Sequence, residues 1–245
     1  MARYKTLWKW MLIPLLVMQA GIFYDYWGDF TENTWAVHVH YWLASLWYVF
    51  LISQPWLFAK NNLDAHRTWG IFGMALAGAL AFTSISQLNR DIVYANFVRD
   101  NPGGIGPFEP WFFFMILLSE IVLISAFIIA VSMAIVRRKS AQDHAWWLVT
   151  TVFILMMPAL ARGLQAVWIA IYGFDVATTN VVMQPLYLSQ AILIAMTLGA
   201  AWWLGKVRHP ATYLAVGANI IAVFVMEPIS KIPQVQELLR AIIAA

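Results

Sequence analysis

Apolar residues run through this chain in long unbroken stretches, and polar residues gather in short clusters between them. About 20 apolar residues in a row is the length an α-helix needs to cross a bilayer. Seven such stretches are legible, at roughly 8–24, 35–58, 68–88, 109–136, 145–172, 182–205 and 211–229. The interruptions carry loop chemistry. Asp25 to Thr34 is acidic and polar, and Lys60 to Arg67 is basic. Asn89 to Pro110 holds Asn-Pro-Gly-Gly and Gly-Pro, which mark turns. Arg137 to His144 is basic, Gly173 to Asn180 polar, and Lys206 to Pro210 short and basic. The pattern predicts an all-α polytopic membrane protein: one seven-helix transmembrane domain over 1–230 and an amphipathic tail over 231–245. In the tail, Pro233 can start a helix. Val235, Leu238, Leu239, Ile242 and Ile243 then share one face, which suits adsorption to the membrane surface or docking on the bundle.

Composition narrows the class. The chain has 245 residues, 62% hydrophobic and 11% charged. A soluble domain averages about 25% charged residues, so this chain lacks the groups to cover a water-facing surface. Absence of cysteine excludes disulfides, Cys-ligated zinc, iron–sulfur clusters and a cysteine nucleophile. The net charge of +3 forms no basic stripe for nucleic acid. The basic N-terminus before the first apolar run reads as an uncleaved signal anchor. Ten basic residues fall in the segments that would face the cytoplasm if the N-terminus does, against Arg90, Arg99, Lys231 and Arg240 on the other side. The excess predicts N-terminus in and C-terminus out. Asp25, Asp29, Glu32, Asp91, Asp100, Glu109 and Asp175 then lie outside.

Two charges interrupt the spans themselves. Glu120 lies about 16 Å below the outer end of span four, and Arg162 about 15 Å below that of span five, at 1.5 Å per residue. Facing lipid, either would be costly, so such groups turn inward and pair or line a cavity. Gln165 shares a helix face with Arg162. Gln190, Gln184, Asn219, Ser84, Ser86 and Gln87 add polar groups at similar depth, and Pro158 and Pro185 free carbonyls nearby. The expected ligand site is Glu120, Arg162, Gln165, Gln190 and Asn219. Arg162 would hold an anionic or carbonyl-bearing ligand, with Glu120 as counter-ion or proton carrier. A structural ion pair is an equally weighted reading, since polar residues also glue membrane helices.

Histidines mark the other side. His66, His144 and His209 each stand near a helix start, and the first two share His-x-x-Trp. Gly70 and Gly73 follow His66 at i+4 and i+7 and flatten its face. His66 and His144 could ligate haem b there, with Arg67 on a propionate. Interfacial histidines beside close-packing glycines are the plainer alternative. A three-histidine metal site would need His209 to converge as well, and no metal is assigned. His38 and His40 point in opposite directions on one helix, so only one of them can face the bundle. Nucleotide-binding loops, zincin and serine-hydrolase motifs are absent.

From His38 to Gly73 the chain reads His-Val-His-Tyr-Trp-Leu-Ala-Ser-Leu-Trp-Tyr, then Gln54-Pro55, then His66-Arg67-x-x-Gly70-x-x-Gly73, with His144-x-x-Trp147 and Arg162 beyond. This resembles a bacterial group of multi-span membrane proteins, the DUF2306-like proteins, over about 38–165. Leu148 stands where that group usually has Met. The resemblance implies a multi-pass protein of the bacterial inner membrane and singles out His66, His144 and Arg162; it implies no activity. The expectation is an integral membrane protein that binds, transports or senses a small anionic or amphipathic ligand. The alternatives are a bis-histidine haem b electron carrier and a structural subunit of a larger membrane complex. The expected partners are the lipid bilayer and that small ligand, with homo-oligomers or a membrane complex as further assemblies and no nucleic acid.

Overall fold

A computed structural model describes residues 2–173 and 180–243. Asp175 and the rest of segment 174–179, counted above with an outer loop, lie outside the described residues, as do the last two residues of the tail. The described chain is all-α, with no strand among those residues. It is a multi-pass membrane protein: six helices are long and apolar enough to cross a bilayer. A shorter apolar segment, α1 (Leu7–Gly21), precedes them. The long helices are α2 (Trp35–Ala59), α3 (Leu63–Asp100), α4 (Pro110–Val136), α5 (Ala141–Tyr172), α6 (Asn180–Leu204) and α7 (Pro210–Ser230). A short α8 (Pro233–Ile243) closes the chain.

Local chemistry sets the helix ends. The Asn62 side chain accepts the Ala65 N–H at the start of α3, and His209 Nδ1 accepts the Ala211 N–H at the start of α7. Proline stands at the first position of α4 and of α7, where its missing N–H costs nothing. Gly173 and Gly205, with φ of +75° and +69°, end α5 and α6 at the positive φ that glycine adopts without a Cβ penalty.

Lipid is as apolar as leucine, so membrane helices hold together by close packing and not by hydrophobic burial. Helix α5 is the hub, packed against α1, α2, α4, α6 and α7. Along α7, Ala211, Ala215, Ala218 and Ala222 form a buried small-residue stripe at helical spacing. At the α1–α5 crossing, a Cβ on Gly163 would stand 2.7 Å from the Gly21 Cα, so only glycine permits this approach. Large apolar side chains such as Phe82, Ile71 and Trp202 face outward, as lipid contact requires.

The bundle has a basic end, with Arg67, Arg137, Arg138 and Lys206, and an acidic end, with Asp25, Asp29, Glu32 and Glu109. Helix α3 corrects the sequence reading. Its expected end near 88 is passed by twelve residues, and Arg90 and Asp91 belong to the helix. Leu88, Ile92, Ala95 and Val98 bury one continuous stripe, and Leu239 of α8 packs on it with Phe114 and Leu117. The tail therefore docks on the bundle, with Arg240 Nε donating to Asn96 Oδ1 at 3.1 Å.

Candidate functional site

The Gly21–Gly163 crossing carries Asp25, four residues beyond Gly21, over Arg162. The chain after α1 widens into a π-turn at Phe23–Trp27, a distortion frequent at functional sites. Arg162 Nη1 donates to Asp25 Oδ2 at 2.6 Å and to the Tyr41 hydroxyl. Tyr41 donates to the same Asp25 oxygen at 3.0 Å. Behind this triad Tyr26 stacks on Tyr41 with ring centroids 4.4 Å apart, and its hydroxyl meets His38 Nδ1 at 3.0 Å. Burial works against the Asp25 charge. The Arg162 guanidinium and the hydrogen bonds from Tyr41 and Arg162 nonetheless hold its carboxyl below the usual carboxylate range. The counter-ion of Arg162 is thus Asp25, read from sequence as a loop acid. No hydrogen bond or ion pair joins Glu120 to Arg162 among the described residues.

Glu120 and Arg162 nevertheless share a wall. An acidic-end cavity of about 290 Å³ is lined by Asp25, Arg90, Asp91, Tyr94, Gln165 and a phenylalanine cluster around Phe108 and Phe113. A mid-bundle cavity of about 100 Å³ is lined by His40, Tyr41, Tyr48, Ser84 and Gln87. Arg90, Glu120, Pro158 and Arg162 line both. Arg90 Nε, Asp91 Oδ2 and Glu120 Oε2 are buried and have no hydrogen-bond partner among the described residues. Buried polar atoms are almost always paired, so three such atoms around one cavity mark it as a place for a polar group. Of the histidine pair on α2, His40 faces the bundle, with Nδ1 3.3 Å from Thr83 Oγ1.

The other expected site residues divide. Gln165 lines the acidic-end cavity and reaches the Val182 carbonyl at 3.5 Å. Gln190 and Asn219 are fully buried and line neither of these two cavities. Asn219 donates to the Phe153 carbonyl at 3.2 Å, which ties α7 to α5. Asp25, Tyr41, Arg90 and Asp91 escaped the sequence reading of the site. For Arg90 and Asp91 a signal existed, because the apolar stripe from Leu88 to Val98 keeps helical period through them.

Below the mid-bundle cavity, Trp47 donates to Thr151 Oγ1 at 3.1 Å and Tyr48 to the Val152 carbonyl at 3.2 Å. Beyond this layer lies a basic-end pocket of about 200 Å³, lined by Tyr4, Met11, Leu51, Gln54, His66 and His144. The two histidine rings meet edge-on with centroids 6.4 Å apart. Gly73 presents no open face, because the Phe50 ring packs against it, whereas the space beside Gly70 is open. Arg67 is mostly exposed and turned to Asp64 at 3.6 Å. His209 stands apart, 3.5 Å from Asp143, which also binds Lys206 at 2.7 Å. No cluster of three metal-ligating side chains occurs among the described residues.

No protein family, curated protein or solved structure matches the chain.

Proposed function

We propose that this protein binds a small amphipathic molecule with an anionic or carbonyl-bearing head in the acidic-end cavity. One observation carries the reading: two cavities back to back share a charged wall of Arg90, Glu120 and Arg162. Asp25 and Tyr41 occupy Arg162 and fix its position, so Arg90, with its unpartnered Nε, is the guanidinium free to receive an anion. Glu120 is the proton carrier beside it and not the counter-ion of Arg162. The phenylalanine cluster accepts the apolar part. Binding, transport and sensing all begin with this step.

Seven crossings, with the N-terminus cytoplasmic and the C-terminus outside, suit the same reading. Tyr4 lines the basic-end pocket and Asp25 the acidic-end cavity. The segment between them, built around α1, therefore traverses the bundle although α1 itself is short. The basic end then faces the cytoplasm, and the cavity opens outward. Placement in a bacterial inner membrane rests on the DUF2306-like motifs around His66 and His144.

The test uses full-length protein in nanodiscs, with laurate and dodecyltrimethylammonium as probes. Laurate is expected to raise the melting temperature and the cation to leave it unchanged. Arg90→Gln should abolish the laurate shift. A laurate shift unaltered in both Arg90→Gln and Arg162→Gln would sink the proposal. The haem reading has one geometric observation in its favour, the contact of His66 with His144. Phe50 on Gly73 and Arg67 on Asp64 weigh against it.

A further inference from the structure

The basic-end pocket gathers a second set of buried polar atoms with no hydrogen-bond partner among the described residues: Tyr4 Oη, Gln54 Nε2 and His66 Nδ1. They come from three separate helices, a short one over Ala2–Lys5 ahead of α1, then α2 and α3, so no local turn explains their convergence. A fourth helix, α5, adds His144. Its Nδ1 lies 2.9 Å from the Ala134 carbonyl, which can only accept, so Nδ1 is the donor in that bond. Leu7, Met11, Leu51, Phe58 and Leu148 make most of the remaining wall apolar, and the exposed Gln142 and Arg138 complete it.

The chemistry of the polar end is specific. No carboxylate among the described residues lines the pocket, so a cation meets no counter-charge from them there. The formal charge present is Arg138, which is exposed and donates through Nη1 to the Ile135 carbonyl at 3.1 Å. The deep groups are neutral. Gln54 Nε2 offers only N–H donors and Tyr4 offers a hydroxyl, while His66 Nδ1 donates or accepts a hydrogen bond according to its tautomer. Neutral donors inside an apolar wall match carbonyl oxygens on an apolar body. We infer that this pocket is a second binding site, for an apolar molecule bearing carbonyl oxygens. A membrane quinone and an uncharged acyl ester share that chemistry. Gln54 and Tyr4 are the donors to the carbonyl end, and His66 sits beside it. The Trp47–Tyr48 layer separates this site from the acidic-end cavities, so it stands or falls independently of the function proposed above.

Decylubiquinone and 1,2-dioctanoylglycerol are the probes, titrated into full-length protein in nanodiscs with binding read by thermophoresis. One of them is expected to bind, with affinity at least tenfold lower in Gln54→Leu and in Tyr4→Phe. Preference for decylubiquinone assigns a quinone, and preference for dioctanoylglycerol an acyl ester. Without probe, Gln54→Leu should melt at or above the wild-type temperature, because it removes a polar atom that has no partner. The inference is overturned if neither probe binds or if both variants bind like wild type. It is overturned equally if Gln54→Leu melts lower without probe, or if the purified protein carries a Soret band that His66→Ala removes.

Discussion

The two ends of the bundle solve the same problem in different ways. Each holds polar groups within an apolar membrane protein, where an unsatisfied group costs several kcal/mol, of order of magnitude. The acidic end uses formal charges and pairs only some of them: Asp25, Tyr41 and Arg162 form a closed triad, and Arg90, Asp91 and Glu120 stand around it with unpartnered atoms. The basic-end pocket uses neutral groups, Tyr4, Gln54 and His66, and pairs none of the three atoms it presents. An unpaired charge is far costlier at depth than an unpaired neutral group, and Arg162 draws its counter-ion Asp25 from a distant part of the chain. Neutral donors cost less to leave unpaired, so the basic-end pocket presents its three free atoms with no ion pair among them. The contrast assigns different roles to burial: at one end it strengthens an ion pair, and at the other it keeps competing water from carbonyl-directed donors.

The largest expected effect comes from breaking the device that imports the counter-ion. Gly163→Leu places a side chain where the Gly21 backbone lies, so α1 and α5 must separate and Asp25 must leave Arg162. Overpacking alone costs about 1–3 kcal/mol, and the lost ion pair adds to it. Unfolding in mixed micelles should show a loss of about 3 kcal/mol in total. Gly199→Leu, where an added Cβ meets nothing within 4 Å, should change stability by less than about 0.5 kcal/mol. Equal losses in the two variants would show that the glycine crossing does not hold the acidic-end site.

A smaller effect sharpens the electrostatic half of the comparison. Asp25→Asn keeps the shape and removes the charge facing Arg162. The Arg162 side chain is 28% exposed and that of Asp25 49%, so the loss should be about 1–2 kcal/mol, well short of the cost of breaking a fully buried pair. The pH dependence fixes the sign. The Asp25 carboxyl is held below its ordinary value in the folded protein. Its contribution is therefore complete above the unfolded carboxylate pKa of about 3.9 and disappears as pH falls through the lower folded value. Wild-type stability should drop below about pH 4 more steeply than that of Asp25→Asn. Arg162, Tyr41 and Arg90 are the groups that set this shift. Parallel pH profiles would remove Asp25 from the triad's energetics.

Much of this fold was legible because lipid imposes a simple rule: long apolar runs become helices. Depth was legible for the same reason. Counting residues put Glu120 and Arg162 at one level, and they do line the same two cavities. Pairing was not legible, because it depends on which helix crosses which. Nothing local in Asp25 distinguishes a loop acid from a counter-ion; the Gly21–Gly163 approach makes the difference, and its two halves lie far apart in sequence. Arg90 and Asp91 read as loop residues from sequence because charge in an apolar chain marks a loop. Their helix keeps its apolar stripe to Val98 on one face and turns these two residues into a cavity on another. Gly73 shows the opposite failure. The sequence offered an open flat face, and the structure fills it with Phe50 from the neighbouring helix.

The smallest expected effect concerns the cover over the acidic end. Helix α8 lies on α3 and α4, with Leu239 buried against Phe114 and the Arg240 guanidinium 4.8 Å from the centre of the same ring. Phe114 follows Phe112 and Phe113, which line the acidic-end cavity. Arg240→Ala removes a cation–π contact and the bond to Asn96, worth about 0.5–1 kcal/mol together at a partly exposed site. Global stability should hardly move, but local opening of the tail should become about 2–5-fold more frequent, that energy expressed as an equilibrium. Hydrogen exchange would read it as faster exchange in α8 and at the start of α4, with the region around Tyr4 and His66 unchanged. Faster exchange at both ends would mean that α8 stabilises the whole bundle, and the acidic end would then have no cover of its own.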